Sequence, residues 1–456
     1  MGEVHYNAGE ETTGFGSIMG CADGTFNASA TYTITQANVG VVNNASKSGI
    51  TQVGSESNIT GTAALTKMPD LFKYQTENGT YANYWAITSD GAPVLESFAD
   101  IADKTCMGVD LSWYNSGTNY TLSNAADFYG FTLMSQTTNF SGKTITLGDH
   151  ITINAGSPYG ADGEKDAADE ANPDDWSKAA PDFGWLSIGV GREFAGTFDG
   201  NMKTISGVYL SEAANNRGLF AVTTSNAVIQ NVKLTDSYFK NTRPGLGSIV
   251  GKANGGEFNN IYSDAIVDST DVYVGGIMGM VNGGHSITMD NCWSAGPVTG
   301  QTEVGGIIGR ISGTATVTNC LNSGDITSSS TATTLYVGGL FGSKANNGTS
   351  TATIRYCLNL GEVHCSQASG VEGYAAVIGK ADGTTTIEHT YATTESCGVY
   401  ATGNVTVDGQ HSKWQVSKDE IKGKDAKDKM PSLFNILLTT KWDWVEDKTP
   451  VLKDFK

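Results

Sequence analysis

Between residues 247 and 390 the apolar and polar positions repeat one pattern five times in succession. Each repeat opens with a short apolar stretch punctuated by glycine, as in Val274-Gly275-Gly276-Ile277-Met278-Gly279. A polar turn follows, and then a run alternating with period two, as in Thr314-Ala315-Thr316-Val317-Thr318-Asn319-Cys320 or Thr351-Ala352-Thr353-Ile354-Arg355-Tyr356-Cys357. Such alternation predicts strands with one buried and one wet face. The glycine-closed stretches end at Gly251, Gly279, Gly309, Gly342 and Gly379, spacings of 28, 30, 33 and 37 residues that belong to solenoid repeats. In three repeats a further glycine stands four residues after the cysteine, at Gly296, Gly324 and Gly361, and leads into a short strand such as Asp325-Ile326.

A unit of this size, made of strands and turns, cannot bury its apolar face alone. Units must stack, with backbone hydrogen bonds running between coils about 4.8 Å apart. The expected fold is all-β: a right-handed parallel β-helix with short capping helices. One helix is predicted over about 124 to 135 with Ser123 as its N-cap, and another after Ser417, whose side chain forms a capping box with Glu420. Both are expected to cover open ends of the solenoid, where unpaired strand edges invite aggregation.

A longer period lies over the repeat. Gly2-Glu3-Val4-His5 recurs as Gly361-Glu362-Val363-His364, and the same offset of 359 pairs Phe15 with Tyr374, Gly20 with Gly379 and Tyr32 with Tyr391. Two closing segments also match: Met68-Pro69, Leu71-Phe72, Trp85, Pro93-Val94-Leu95 and Phe98 answer Met430-Pro431, Leu433-Phe434, Trp442, Pro450-Val451-Leu452 and Phe455. The chain therefore reads as residues 1–98, the C-terminal part of one β-helix domain, followed by residues 99–456, a second copy. Within that copy, 101–215 hold the opening helix and first coils, 216–400 the regular repeats and 401–456 the closing segment.

Composition narrows the function. Glycine is 57 of 456 residues against only 9 prolines, so the glycines belong to tight turns within apolar runs rather than to a linker. Asp and Glu outnumber Lys and Arg 47 to 28, an acidic balance that repels phosphates and argues against nucleic acid. No apolar run is long enough for a membrane span, so no membrane insertion is expected within this sequence. Seven cysteines, of which only Cys357 and Cys365 lie close together, give no zinc-site spacing.

The chain resembles the GLUG repeat family, found in bacterial surface proteins, in gut-bacterial adhesin-like proteins and in the non-catalytic region of immunoglobulin A metallopeptidases. The resemblance is carried by Leu122-Ser123-Asn124-Ala125-Ala126-Asp127-Phe128, by Phe140-Ser141-Gly142-Lys143-Thr144-Ile145-Thr146-Leu147, and by Phe194-Ala195-Gly196-Thr197-Phe198-Asp199-Gly200-Asn201 with Ile205-Ser206-Gly207. It implies an extracellular, cell-surface location and a structural role. No H-E-x-x-H stands among the six histidines, so the peptidase activity of such relatives does not carry over.

Other β-helices are polysaccharide lyases and glycoside hydrolases, which need clustered charge on stacked columns. One expected column reads Asp290, Thr318, Arg355 and Glu388, and another Lys252, Met280, Arg310, Ser343 and Lys380; neither is an acid pair at fixed separation. Cys292, Cys320 and Cys357 align as a column that reads as core packing rather than a metal ladder. Thr316, Thr353 and Thr386 align too. A flat hydroxyl lattice would suggest ice binding, but Thr318, Arg355 and Glu388 interrupt it on the adjoining column, leaving threonine as a strand former. Trp113, Tyr114, Tyr120, Trp176 and Trp185 are candidates for stacking on sugar rings, with covering of the first coil as the favoured role. The acidic loop containing Asp162, Glu164 and Asp166 is the one candidate metal site, for calcium, against a solvated charged loop; no other cofactor is expected.

The expectation is a non-enzymatic bacterial surface scaffold or adhesin stalk. Its partners would be a surface glycan or host protein, or further copies stacked head-to-tail through residues 2 to 20. The alternative is a carbohydrate-active β-helix enzyme.

Overall fold

The computed structural model describes residues 61–73, 79–89, 92–96, 105–158, 180–332, 334–345, 348–365, 372–393, 403–407, 421–446 and 448–456, with short pieces at 31–33, 50–52, 75 and 176. It is an all-β parallel solenoid. The chain divides into two compact units, one of Met1–Gly117, Ala125–Leu133 and Asp182–Leu186, the other of Thr118–Asn124, Met134–Pro181 and Ser187–Lys456.

The larger unit holds the coils. Its strands form sheets of twenty, six and five members, every ladder in them parallel and joining neighbouring coils. On the six-stranded sheet the inward column runs Leu210, Phe239, Val267, Val298, Ile326 and Val363, one residue per coil. All six side chains are wholly buried. A second inward column runs Phe198, Ile229, Phe258, Met289, Val317, Ile354 and Ile387. Apolar side chains at the same register in every coil remove each other from water, and a slip of one residue would turn the whole set outward.

The repeat glycines sit where coil backbones touch. A Cβ at Gly279 would lie 2.5 Å from the carbonyl oxygen of Gly251, and one at Gly309 would lie 2.7 Å from that of Gly279. Each glycine thus clears space for the glycine of the neighbouring coil, and any side chain would push two coils apart.

The helix α1 spans Ala63–Lys67, α2 spans Pro69–Phe72, α3 spans Ala125–Ser135 and α4 spans Gly423–Lys429. The opening helix α3 falls where the sequence places it. The second helix begins later than its Ser417–Glu420 capping box, which lies outside the described residues.

In the smaller unit, Thr31–Thr33 pairs in parallel with Ile50–Gln52. Trp85–Thr88 is the centre of an antiparallel three-stranded sheet, with Val94–Leu95 on one side and Cys106–Gly108 on the other. The first-copy residues 2 to 20 lie outside the described residues.

Candidate functional site

Each long strand of the coils turns a corner at one residue with positive φ. These are Asn231, Asn260, Asn291, Asn319, Tyr356 and His389, with φ between 50° and 57°. Asparagine is the non-glycine residue best suited to this left-handed conformation. Stacked one above another, the corner amides form a ladder. Asn231 Nδ2 donates to Asp199 Oδ1 at 2.9 Å, Asn260 Nδ2 to Asn231 Oδ1 at 2.9 Å, and Asn291 Nδ2 to Asn260 Oδ1 at 2.8 Å. In the last two coils the rings of Tyr356 and His389 stack instead, 5.2 Å apart and 7° from parallel.

The closing segment lies along this corner. Ser432 Oγ meets His389 Nδ1 at 3.0 Å, the Trp442 indole N–H donates to the Tyr356 carbonyl at 3.0 Å, and Thr439 Oγ1 donates to Asn319 Oδ1 at 2.6 Å. Asn291 Nδ2 donates to Asp454 Oδ2 at 2.7 Å, and Phe455 reaches Tyr262, ring centroids 5.9 Å apart. Between residues 432 and 455 the segment contacts the coils of His389, Tyr356, Asn319, Asn291 and Tyr262 and straps them together. It also shelters an apolar column, Tyr262, Trp293, Leu321, Leu358 and Tyr391, of which the last three are buried.

Beside this column stands a carboxylate pair that the cysteine-based alignment of the sequence does not reveal. Asp236 and Asp264 occupy the same turn position on adjacent coils; the Asp236 amide donates to Asp264 Oδ1 at 3.0 Å, and the Tyr262 hydroxyl approaches Asp264 Oδ2 at 3.4 Å. Burial, and then the charge of Asp236, push the Asp264 carboxyl up to about 6. Burial and a neighbouring acid thus hold this carboxyl near neutral pH, the chemistry a proton donor would use.

The two charged columns form in the expected register and are consumed by local pairs. Asp290 accepts from Thr318 Oγ1 at 2.6 Å and Asn319 Nδ2 at 2.7 Å, while Arg355 pairs with Glu388 at 2.6 Å. Arg310 donates to both carboxylate oxygens of buried Glu303 at 3.0 Å and lies over the Tyr273 ring, and Ser343 adds a third bond at 3.1 Å. Burial raises the Glu303 carboxyl above its ordinary value despite Arg310. Lys344 is a residue the sequence pattern hides. It occupies an inward position between Ile311 and Ala381, fully enclosed, with its ammonium on the Ala345 carbonyl at 2.6 Å and Ser350 Oγ at 2.9 Å.

The threonine column has a twin. Thr288, Thr316, Thr353 and Thr386 stack in register, and two residues earlier on the same strands Ser286 pairs with Thr314 and Thr351 with Thr384. Thr351 N–H also donates to Thr314 Oγ1 at 3.4 Å. The charged column therefore bounds the hydroxyls on one side, and an uncharged hydroxyl strip two columns wide reaches solvent in these four coils, ending at exposed Glu257 on the coil before Thr288.

Cys292, Cys320 and Cys357 are wholly buried and stacked, the Cys320 amide donating to Cys357 Sγ at 3.4 Å. Burial pushes the Cys320 and Cys357 thiols well above their ordinary range, so they are poor thiolate ligands. Asp162, Glu164 and Asp166 lie outside the described residues. Among the described residues no group of three or more His, Cys, Asp or Glu is placed to hold a metal ion, and no helix is long and apolar enough to cross a membrane. Tyr120, Trp176 and Trp185 are buried; Trp185 packs 4.9 Å from Phe128, and Trp176 stands edge-on to Tyr209. Trp113 and Tyr114 are half-buried, and the Trp113 indole N–H bonds the Asp110 carbonyl at 2.8 Å.

No protein-family model matches the chain, and no curated protein matches it. The GLUG resemblance therefore rests on the motif residues themselves. Among solved structures, a Bacteroides ovatus protein provisionally described as an immunoglobulin A1 protease shares 16% identity over 75% of this chain and 94% of its own, with a TM-score of 0.48. A likeness this distant carries no argument about activity.

Proposed function

We propose that this chain is a non-enzymatic scaffold of an extracellular bacterial surface protein, a stacked-coil domain that holds its faces in fixed register for contact with a surface glycan or host protein. The observation that carries the reading is the continuous register of the six-stranded sheet from Leu210 to Val363, with the coils strapped laterally by residues 432–455. A frame so fixed suits display, and the exposed hydroxyl strip of Ser286, Thr288, Thr314, Thr316, Thr351 and Thr353 is the face best matched to a polyhydroxyl partner. Head-to-tail stacking of coils between copies would extend the same frame. Cells of the source organism, labelled with an antibody against this chain before and after permeabilisation, test the location. Equal labelling of intact and permeabilised cells supports it; labelling only after permeabilisation contradicts it.

The second reading, a carbohydrate-active enzyme, is favoured by the Asp236–Asp264 pair beside Tyr262 and Trp293. Assay of reducing ends and unsaturated products on a panel of acidic and neutral polysaccharides separates the two. Turnover abolished by Asp264→Asn would establish the enzyme, and no turnover leaves the scaffold.

A further inference from the structure

The two closing segments contain the same hairpin in two different situations. In the first, Trp85 pairs with Leu95 and Ala86 with Val94; in the second, Trp442 pairs with Leu452 and Asp443 with Val451. The register is identical, so the two can be compared residue by residue from 84/441 to 98/455 without a gap.

The first hairpin carries a third strand. Cys106–Gly108 adds to its open edge, with Ala86 opposite Gly108, Ile87 opposite Met107 and Thr88 opposite Cys106. The chain then runs on into α3, and the Asp110 amide donates to the Ala126 carbonyl at 3.0 Å. Ile87 and Thr88 of the central strand are wholly buried. Closing hairpin, added strand and most of the opening helix form one compact unit.

The second hairpin is a two-stranded sheet. Trp444, at the position of buried Ile87, is 37% exposed. In the same closing segment, Ile436 and Leu437 are 76% and 90% exposed, the two most exposed large apolar side chains among the described residues. The other side differs as well: Trp442, bonded to a coil carbonyl, and Leu452 are buried, whereas Leu95 in the first hairpin is 42% exposed. Among the described residues no third strand pairs with this hairpin, and a bare antiparallel edge that carries an exposed Trp is a surface prepared for strand addition.

We propose that the edge of Trp442–Val445, with the exposed Trp444 on it, is a docking surface for the opening strand and helix of a further domain of this kind joined downstream of the hairpin. The occupant is defined by the first hairpin: an extended segment like Cys106–Gly108 followed by an apolar helix like Ala125–Ser135. Ten residues separate Leu95 from Cys106, so the connection is short and the docked geometry is reached within one polypeptide at high effective concentration. The inference stands whether the domain is a scaffold or an enzyme.

The test is a chain extended at Lys456 by a second copy of residues 100–456, compared with the original by hydrogen–deuterium exchange. In the original, the peptide covering 442–445 exchanges as one fast population. In the extended chain it is expected to split into equal halves, one docked and exchanging at least about tenfold more slowly. Core peptides covering 304–311 remain a single protected population if the added copy is folded, which is the control. Met107→Pro in the added copy removes an amide and breaks strand geometry, and it returns the 442–445 peptide to one fast population. A single fast population in a folded extended chain, or slow exchange that survives Met107→Pro, overturns the proposal.

Discussion

The indole N–H of Trp442 donates to the main-chain carbonyl of Tyr356, 86 residues earlier, at 3.0 Å. That bond fastens the closing segment to the penultimate described corner of the solenoid, beside an indole that is almost fully buried. Trp442→Ala removes the bond and a large buried side chain and should cost about 3–5 kcal/mol. Chemical denaturation read by circular dichroism measures the loss. Ser432 and Thr439, fastened through the same strap, should gain exchange at neighbouring amides in the variant.

The corner ladder separates backbone from side-chain energy at one residue. Asn291 is fully buried at φ 57° and donates to both Asn260 and Asp454. Asn291→Ala loses both bonds and places a Cβ-bearing residue without a local polar group in the left-handed region, costing about 2–4 kcal/mol. Asn291→Gly relieves the backbone part and should be less damaging by about 1 kcal/mol. Equal losses in the two variants would show that the ladder alone matters there.

Asp264 makes stability depend on pH in an unusual direction for a carboxylate. Its folded value of about 6 lies above its ordinary 3.8, so the fold prefers the protonated acid. The stabilising effect of protonation is complete below about 4 and is lost as pH rises through 6. At pH 7 the ionised carboxyl is a cost, and Asp264→Asn should stabilise the protein by about 1–2 kcal/mol, less at pH 5. Thermal melts of both proteins at the two pH values measure the difference.

Lys344 burdens the core similarly. Burial lowers its ammonium below the ordinary range, and its neighbours are a carbonyl and a hydroxyl rather than a carboxylate. Lys344→Met keeps the length and removes the charge. It should raise stability at pH 7 by about 1 kcal/mol, and the gain should fall as pH rises toward 10 and the lysine neutralises within the fold.

The repeat glycines answer to contact rather than to turn conformation. Gly309→Ala places a methyl 2.7 Å from the Gly279 carbonyl oxygen and should cost over about 4 kcal/mol, whereas Gly348→Ala meets nothing within 4 Å and bears only its φ of 64°, about 1–2 kcal/mol. Soluble yield and denaturation midpoints distinguish the two.

Most of the coil was legible in the sequence because its two signals are local: period-two alternation in runs such as Thr351–Arg355, and glycine at a fixed point of each unit. The register of the Asp290, Thr318, Arg355 and Glu388 column followed from aligning the cysteines. The outer hydroxyl column is less legible because it lies two residues back from Thr316 and Thr353, farther from the cysteines that mark the repeat. Asp236 and Asp264 escaped for another reason: their coils carry Val232 and Ile261, not cysteine, at the aligning position. Lys344 fills a place that apolar patterning assigns to a hydrophobe. The strap could not be read at all, since contacts such as Thr439 with Asn319 span 120 residues and leave no periodic trace.

The central claim is the parallel, in-register stack, and a pair of engineered thiols tests it most directly. Thr316 and Thr353 are register partners on adjacent coils, about 4.8 Å apart at Cα. A slip of two residues would keep the inward and outward faces and pair Thr316 with Thr351 instead. The account predicts that Thr316→Cys with Thr353→Cys is joined rapidly by the short crosslinker dibromobimane, mapped by mass spectrometry, and that Thr316→Cys with Thr351→Cys is joined far more slowly. Faster joining of the second pair, or of neither, would contradict it.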